Sequence, residues 1–365
     1  MKRVFGLILS ACILLLPVSC SNDVEVVTSV SETSSQSSSE QTDSFSASTE
    51  QSSEPLVSES DTTDVSSETP SNIQNATDFN SVPKVNESNK YGDLISQIPS
   101  GKKVTALGDL KDEKYNDAIS RLESVLKGYS REISLVAYSL DNTKAVSFNA
   151  EAELFPACTV KAAYSLYNCL EMDNGNGSLD TTMTYESKHY EPGTGDMQYK
   201  PVGTVFDMKT IIHKSMSISD NVGYMMQVDY FGRDSYNKWV SDLGAPSLQI
   251  KPTVWALRAK ADEHAVLWRE IYRYLISDAK HSEFLYSTCT GTADNFATKA
   301  LENVEYSHKQ GFNRDTKWNS MSDAGIVWKD GNPYVIVILT NSEGITSSAQ
   351  KVMDEAIKII HNEMF

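Results

Sequence analysis

Apolar positions along this chain fall into two blocks separated by a long polar stretch. The first block, residues 4–16, is broken only by Gly6 and Ser10. The second starts near residue 91 and carries the periodicities of folded structure. Over 111–127, Tyr115, Ile119, Leu122 and Leu126 recur at helical spacing and Gly128 ends the run, which predicts a helix. Residues 133–140 and 145–148 read as strands joined by a turn at Asp141-Asn142-Thr143-Lys144. After Phe155-Pro156-Ala157 a helix follows, carrying Val160, Ala163, Leu166, Tyr167 and Leu170 and closed by Asn174-Gly175. Near the end, 324–328 and 334–339 form a hairpin around Lys329-Asp330-Gly331-Asn332-Pro333. A last helix, 347–364, packs Val352, Ala356, Ile360 and Met364. This order predicts an α/β protein of the α+β type. An antiparallel sheet is assembled from both chain ends and flanked by helices, with a mostly helical lobe inserted between. The span 91–365 is long enough for one large domain, and no internal repeat is visible.

The polar stretch and the first apolar block bear on location. Lys2 and Arg3 precede the apolar run and Pro17-Val18-Ser19-Cys20 follows it. The run is too short to span a bilayer comfortably, so 1–20 is expected to be a signal peptide. Small Ser19 before Cys20 resembles a bacterial lipobox, although Pro17 stands where that motif prefers leucine. Cys20 is therefore the expected lipidation site, and the chain is expected on the outer face of the bacterial cytoplasmic membrane. Residues 21–90 are almost all Ser, Thr, Glu, Asp, Gln and Asn, with thirteen acids against Lys84 and Lys90. Such a segment buries too little apolar surface to offset its ordering entropy, and it is expected to be a disordered linker. As a random coil it reaches on the order of 45 Å, enough to hold a domain off the membrane. It also supplies −11 of the formal charge of −17, leaving 28 basic and 36 acidic residues after it. That mild balance speaks against a nucleic-acid partner, and a monomer is expected.

The expected domain keeps three cysteines, Cys158, Cys169 and Cys289. Cys158 and Cys169 would lie about three turns apart on one helix, too far for a disulfide. Any bridge must then use Cys289, with Cys158 as the free thiol. The histidines show no metal-ligand spacing, and His308 reads as a strand-end residue. No metal or cofactor is expected.

Candidate chemistry clusters in three places: Phe155-Pro156-Ala157-Cys158-Thr159-Val160-Lys161, Ser219-Asp220-Asn221 and Lys309-Gln310-Gly311. In this order they resemble the Ser-x-x-Lys, Ser-Asp-Asn and Lys-Thr-Gly motifs of class A β-lactamases and related penicillin-recognising hydrolases. The resemblance runs from about residue 111 to 365. It includes Gly193-Thr194-Gly195 and Pro201-Val202-Gly203-Thr204 before the second motif, and Ser322-Asp323-Ala324-Gly325-Ile326-Val327 after the third. Cys158 stands where the family has serine, and Gln310 where it has threonine. The family's Glu-x-x-Leu-Asn, which supplies the base for deacylation, has no counterpart; Asp262 and Glu263 read as the first turn of a helix.

The residues themselves suit acyl transfer. A thiol at a helix start has its pKa lowered by the helix dipole, and a lysine three residues on lies one turn along the same face. The resemblance implies further roles. Ser219 would relay a proton between Lys161 or Lys309 and the leaving nitrogen. Asn221 would bond Lys161 and a substrate amide, and Asp220 would be structural. Lys309, with Gln310, would meet a substrate carboxylate, and Gly311 would let substrate approach the strand. The backbone N–H groups of Cys158 and Phe312 would form the oxyanion hole. The expected activity is a membrane-anchored hydrolase forming a Cys158 acyl-enzyme with β-lactams or D-Ala-D-Ala-type cell-wall peptides. The alternative is a weak or inactive lipoprotein that binds the same ligands.

Overall fold

The computed structural model describes residues 91–252, 257–329 and 331–365. The expected signal peptide 1–20, its Cys20 and the expected linker 21–90 lie outside the described residues. In chain order the elements are β1 (Thr105–Gly108), α1 (Asn116–Gly128), β2 (Ile133–Ser139), β3 (Lys144–Phe148) and α2 (Lys161–Asp173). A small ribbon of β4 (Thr182–Thr184) and β5 (Val205–Asp207) leads into α3 (Met208–Ser217), α4 (Asn221–Phe231) and α5 (Arg233–Asp242). Then come α6 (Ala261–Leu275), α7 (Ser282–Thr290), β6 (Glu305–Asn313), β7 (Ser320–Trp328), β8 (Tyr334–Thr340) and α8 (Ser347–Ile359).

Six strands form one sheet in the order β1-β3-β2-β8-β7-β6, and every neighbouring pair is antiparallel. Chain start and chain end meet at the β2–β8 pairing, where Ile133 lies opposite Thr340 and Ser139 opposite Tyr334. Both faces are covered, which is why β8 reads as a nearly continuous apolar run and β2 is interrupted only by the small Ser134 before it ends at Ser139. On one face, Leu135, Ala137, Ile336 and Ile338 pack with Leu122 and Leu126 of α1 and Val352, Ala356 and Ile360 of the C-terminal helix. On the other, Val136, Tyr138, Val335 and Val337 pack with Leu267, Trp268 and Ile271 of α6 and with the helical lobe. Alternate residues of one strand thus belong to two cores, a consequence of the two-residue period of a strand. Each buried Val, Leu or Ile contributes about 1.5–3 kcal/mol, so the two cores lock the register of the sheet.

Three sequence expectations change. The first helix starts at Asn116 rather than 111, because Asp109–Lys111 and Glu113–Tyr115 form separate 3-10 turns. Asp112 caps the second of these by accepting from the backbone of Lys114. β1 adds a strand that the apolar pattern does not mark: it is only four residues long and half-exposed at Thr105 and Ala106. His308 lies mid-strand in β6, not at a strand end, because that strand runs on to Asn313. The closing helix ends in a π-helical turn over Ile360–Met364. All three cysteines of the described domain are free thiols, so Cys289 bridges neither of the others. Burial pushes the Cys289 thiol up to about 12, which keeps it protonated and unreactive.

Candidate active site

The turn that presents Cys158 is tightly constrained. A 3-10 turn over Ala157–Val160 runs directly into α2, which puts Cys158 and Lys161 on one face. Thr159 donates twice to the Pro156 carbonyl, from its backbone at 3.3 Å and from its hydroxyl at 3.0 Å. The same hydroxyl sits 3.0 Å from Nε2 of the buried His264 on α6. Ala157 has φ +49, a left-handed conformation that costs a non-glycine residue about 1–2 kcal/mol. β6 passes directly beneath: a Cβ placed on Gly311 would fall 2.6 Å from the backbone nitrogen of Cys158 and 2.7 Å from the Pro156 carbonyl oxygen. Glycine at 311 is what lets the strand and the Cys158 turn touch.

Ser219-Asp220-Asn221 forms the turn between α3 and α4, again with a left-handed residue, Ser219 at φ +60. Lys161, fully buried, reaches into this turn and donates to Ser219 O at 2.6 Å, Asp220 O at 3.3 Å and Asn221 Oδ1 at 2.8 Å. All three of these partners are acceptors, as a buried ammonium requires. Asp220 is structural, as expected. Its carboxylate caps α4 by accepting from Gly223 N at 2.9 Å and from Met197 N at 2.9 Å. The preceding loop is latched to the same turn. Asn221 N donates to Thr194 O at 3.2 Å, and Asn221 Nδ2 donates to Pro192 O at 3.1 Å. Thr194 Oγ1 donates to Ser219 O at 2.6 Å.

Lys309, on β6, is the second buried ammonium; it donates to Gln310 O at 3.0 Å and Gln310 Oε1 at 2.8 Å. The Gln310 side chain is thus buried and folded onto its neighbour rather than exposed on the cleft wall, because the desolvated lysine requires acceptors. Next to it, His308 Nδ1 lies 2.9 Å from Asp323 Oδ1. The other oxygen of Asp323 accepts from Phe296 N at 2.8 Å and Ala297 N at 3.0 Å, tying the loop after α7 to the sheet.

These charges act on the sulfur. Burial opposes the thiolate, but the nearby Lys161 and Lys309 ammoniums, with hydrogen bonds from Ser219 and Lys161, hold the Cys158 pKa below its ordinary value. The lysines are affected in turn. Burial lowers Lys161, against the pull of the Cys158 thiolate. Burial likewise lowers Lys309 to about 7, with repulsion from Lys161 adding to it and Cys158 opposing.

Above this cluster opens a cleft of about 610 Å³ walled by Phe155, Cys158, Asn221, Phe312 and Trp318 among others. The Phe155 and Trp318 rings meet at 5.3 Å between centroids and build one apolar side. Of the residues singled out in the sequence, Cys158, Asn221 and Phe312 face the cleft; Lys161, Ser219, Lys309, Gln310 and Gly311 lie behind it. Asp262 and Glu263 do not line it. Glu263 accepts from Ser247 N in the turn before α6 and Asp262 from Glu263 N, so both are engaged away from the cleft. The carboxylates on the wall are instead Glu191 and Glu343, which sequence reasoning missed. Glu191 had only one signal: it stands immediately before the Pro192-Gly193-Thr194 stretch that leads to the second motif.

The sheet thus carries an inserted helical lobe, and the Cys158 thiol sits at a helix start between two buried lysines. The chain belongs to the β-lactamase enzyme family, whose model matches residues 117–364. Among solved structures, PBP-A is 17% identical with a TM-score of 0.59, covering 67% of this chain and 96% of that one. An acyl-enzyme complex of a PBP-A mutant with penicillin G is 18% identical with a TM-score of 0.58, covering 68% and 97%. A β-lactamase from Chitinophaga pinensis is 18% identical with a TM-score of 0.61, covering 68% and 99%. At these identities the likeness is one of fold. No curated protein matches the chain.

Proposed function

We propose that this chain performs acyl transfer through Cys158 on β-lactams or D-Ala-D-Ala-type cell-wall peptides. It would work from the outer face of the cytoplasmic membrane, held there by a lipid on Cys20. The observation that carries the reading is the thiolate-favouring position of Cys158 between Lys161, Lys309 and the Ser219 hydroxyl. In the first step the sulfur attacks the carbonyl carbon and the carbon–nitrogen bond breaks, leaving a thioester. The developing oxyanion lies at the backbone N–H groups of Cys158 and Phe312. Ser219 passes a proton from Lys161 or Lys309 to the departing nitrogen. Asn221 keeps one amide hydrogen for the substrate, since among the described residues its Nδ2 donates to Pro192 O alone.

Water then hydrolyses the thioester. The helix-start acids Asp262 and Glu263 are occupied elsewhere, and slow deacylation is the expected behaviour. The test is intact mass spectrometry of the full chain after incubation with a fluorescent penicillin, with Cys158→Ala and Cys158→Ser alongside. A parental adduct that disappears in the alanine variant, at a nearly unchanged thermal melt, is the expected result. An adduct persisting in Cys158→Ala would sink the assignment. An adduct appearing only in the serine variant would mean that cysteine silences an intact site, which is then a binding site.

A further inference from the structure

We infer that Glu191 is a specificity-determining residue which selects acyl donors carrying a free, cationic amine. The inference rests on the reading of the cleft as a site for cell-wall acyl donors, and deepens it by naming the substrate class.

Two carboxylates face the cleft, and their circumstances differ. Glu343 is paired with Arg131, its charge already answered within the protein. Glu191 is half-buried on the wall that also carries Pro192, Gly193, Thr194 and Asn221, and it has no hydrogen-bond or ion-pair partner among the described residues. A partly desolvated carboxylate without a partner carries a cost that a cationic ligand removes. Its field reaches the catalytic cluster, since it raises the Lys161 affinity for a proton. Lys161 is nevertheless no hydrogen-bond or ion-pair partner for it, its ammonium being turned to Ser219, Asp220 and Asn221.

The wall carrying Glu191 is rigid. The loop is stitched to the α3–α4 turn through Thr194 and Asn221 and internally by Gln198 Nε2, which donates to Gly193 O at 2.8 Å and Gly195 O at 2.9 Å. The backbone at Glu191 is therefore anchored next to Asn221, the residue assigned to the amide of the acyl group. An amine on that acyl group, such as the side-chain amine of a lysine one residue before the scissile D-Ala-D-Ala unit, can reach it. The other side of the cleft carries Phe155, Phe312 and Trp318 with Arg314 as its cation, and Glu191 is the wall carboxylate without a partner among the described residues.

Binding is measured on the full chain carrying Cys158→Ala, so that chemistry does not intervene. The probes are Nα-acetyl-Lys-D-Ala-D-Ala, with its free ε-amine, and the Nα,Nε-diacetyl peptide, which lacks the charge. The free-amine peptide is expected to bind about five- to tenfold more tightly, with the preference shrinking in high salt. Adding Glu191→Gln should bring the ratio to about one while leaving the diacetyl peptide's Kd unchanged. Equal affinity for the two peptides, a preference that survives Glu191→Gln, or no binding of either peptide overturns the inference. Penicillin labelling of the parent separates this from the acyl-transfer reading. Labelling without amine preference refutes the role of Glu191 alone; amine preference without labelling refutes acyl transfer alone.

Discussion

Replacing Gly311 with alanine tests whether the contact between β6 and the Cys158 turn sets the proposed activity. The added Cβ meets two backbone atoms at once, Cys158 N at 2.6 Å and Pro156 O at 2.7 Å, with the Ala157 Cβ at 3.0 Å. Neither backbone atom belongs to a side chain that could swing away. To restore van der Waals contact, the turn or the strand must retreat by about 0.8 Å. β6 is held by its register with β7, Gly311 opposite Ser322, and the turn is held by Thr159 and His264. The strain is shared, and overpacking of this kind costs about 1–3 kcal/mol. The effect on chemistry is larger, because a displacement near 1 Å of a reacting group costs about a hundredfold. The assay pairs a urea melt with the rate of adduct formation by a fluorescent penicillin. A modest loss of stability with a labelling rate down about a hundredfold is expected. Parental labelling with an unchanged melt would show that the close approach does not position the sulfur.

Two further predictions concern pH. Lys309 titrates near 7 in the fold against an ordinary 10.5, so its burial stabilises least below pH 7, and stability recovers as the pH rises from 7 toward 10.5. Lys309→Met should therefore gain stability relative to the parent by about 2 kcal/mol more at pH 6 than at pH 9. A difference that does not vary with pH in paired urea melts would contradict this. His264, held near 4 by burial against an ordinary 6.5, is neutral in the fold. Its contribution is present above pH 6.5 and is lost as the pH falls toward 4, up to about 3 kcal/mol. His264→Leu should flatten that part of the acid limb. An acid limb as steep as the parent's would mean that His264 is not held neutral by burial.

Much of the frame is legible in the order of residues alone. β2, β8 and the second half of β7 announce themselves because both faces of the sheet are covered, so they carry little but apolar and small residues; the first half of β7, from Ser320 to Asp323, is polar and escapes the pattern. The closing helix follows from the spacing of Val352, Ala356 and Ile360, which all point into one core. The three motif stretches also meet in space as their order implies, Lys161 on the Ser219 turn and Gly311 against Cys158. What escapes a reading of the sequence does so for physical reasons. β1 is too short to carry a pattern, and Gln310 turns inward to satisfy a buried lysine. Glu191 gains meaning only when its loop folds back onto a turn far along the chain.

Local chemistry is therefore what the amino-acid sequence determined by itself: a thiol at a helix start, a lysine one turn on, strands with two apolar faces and a helical insert. Those features depend on residues a few positions apart, whose geometry the backbone dictates. Only the tertiary structure decided the charge state of the site and its selectivity. The sulfur's pKa depends on bringing Lys309 beside Lys161 in a buried place, and which wall carboxylate lacks a partner among the described residues depends on which acids found partners elsewhere. Both are sums over long-range contacts and burial, quantities that no local window of sequence contains.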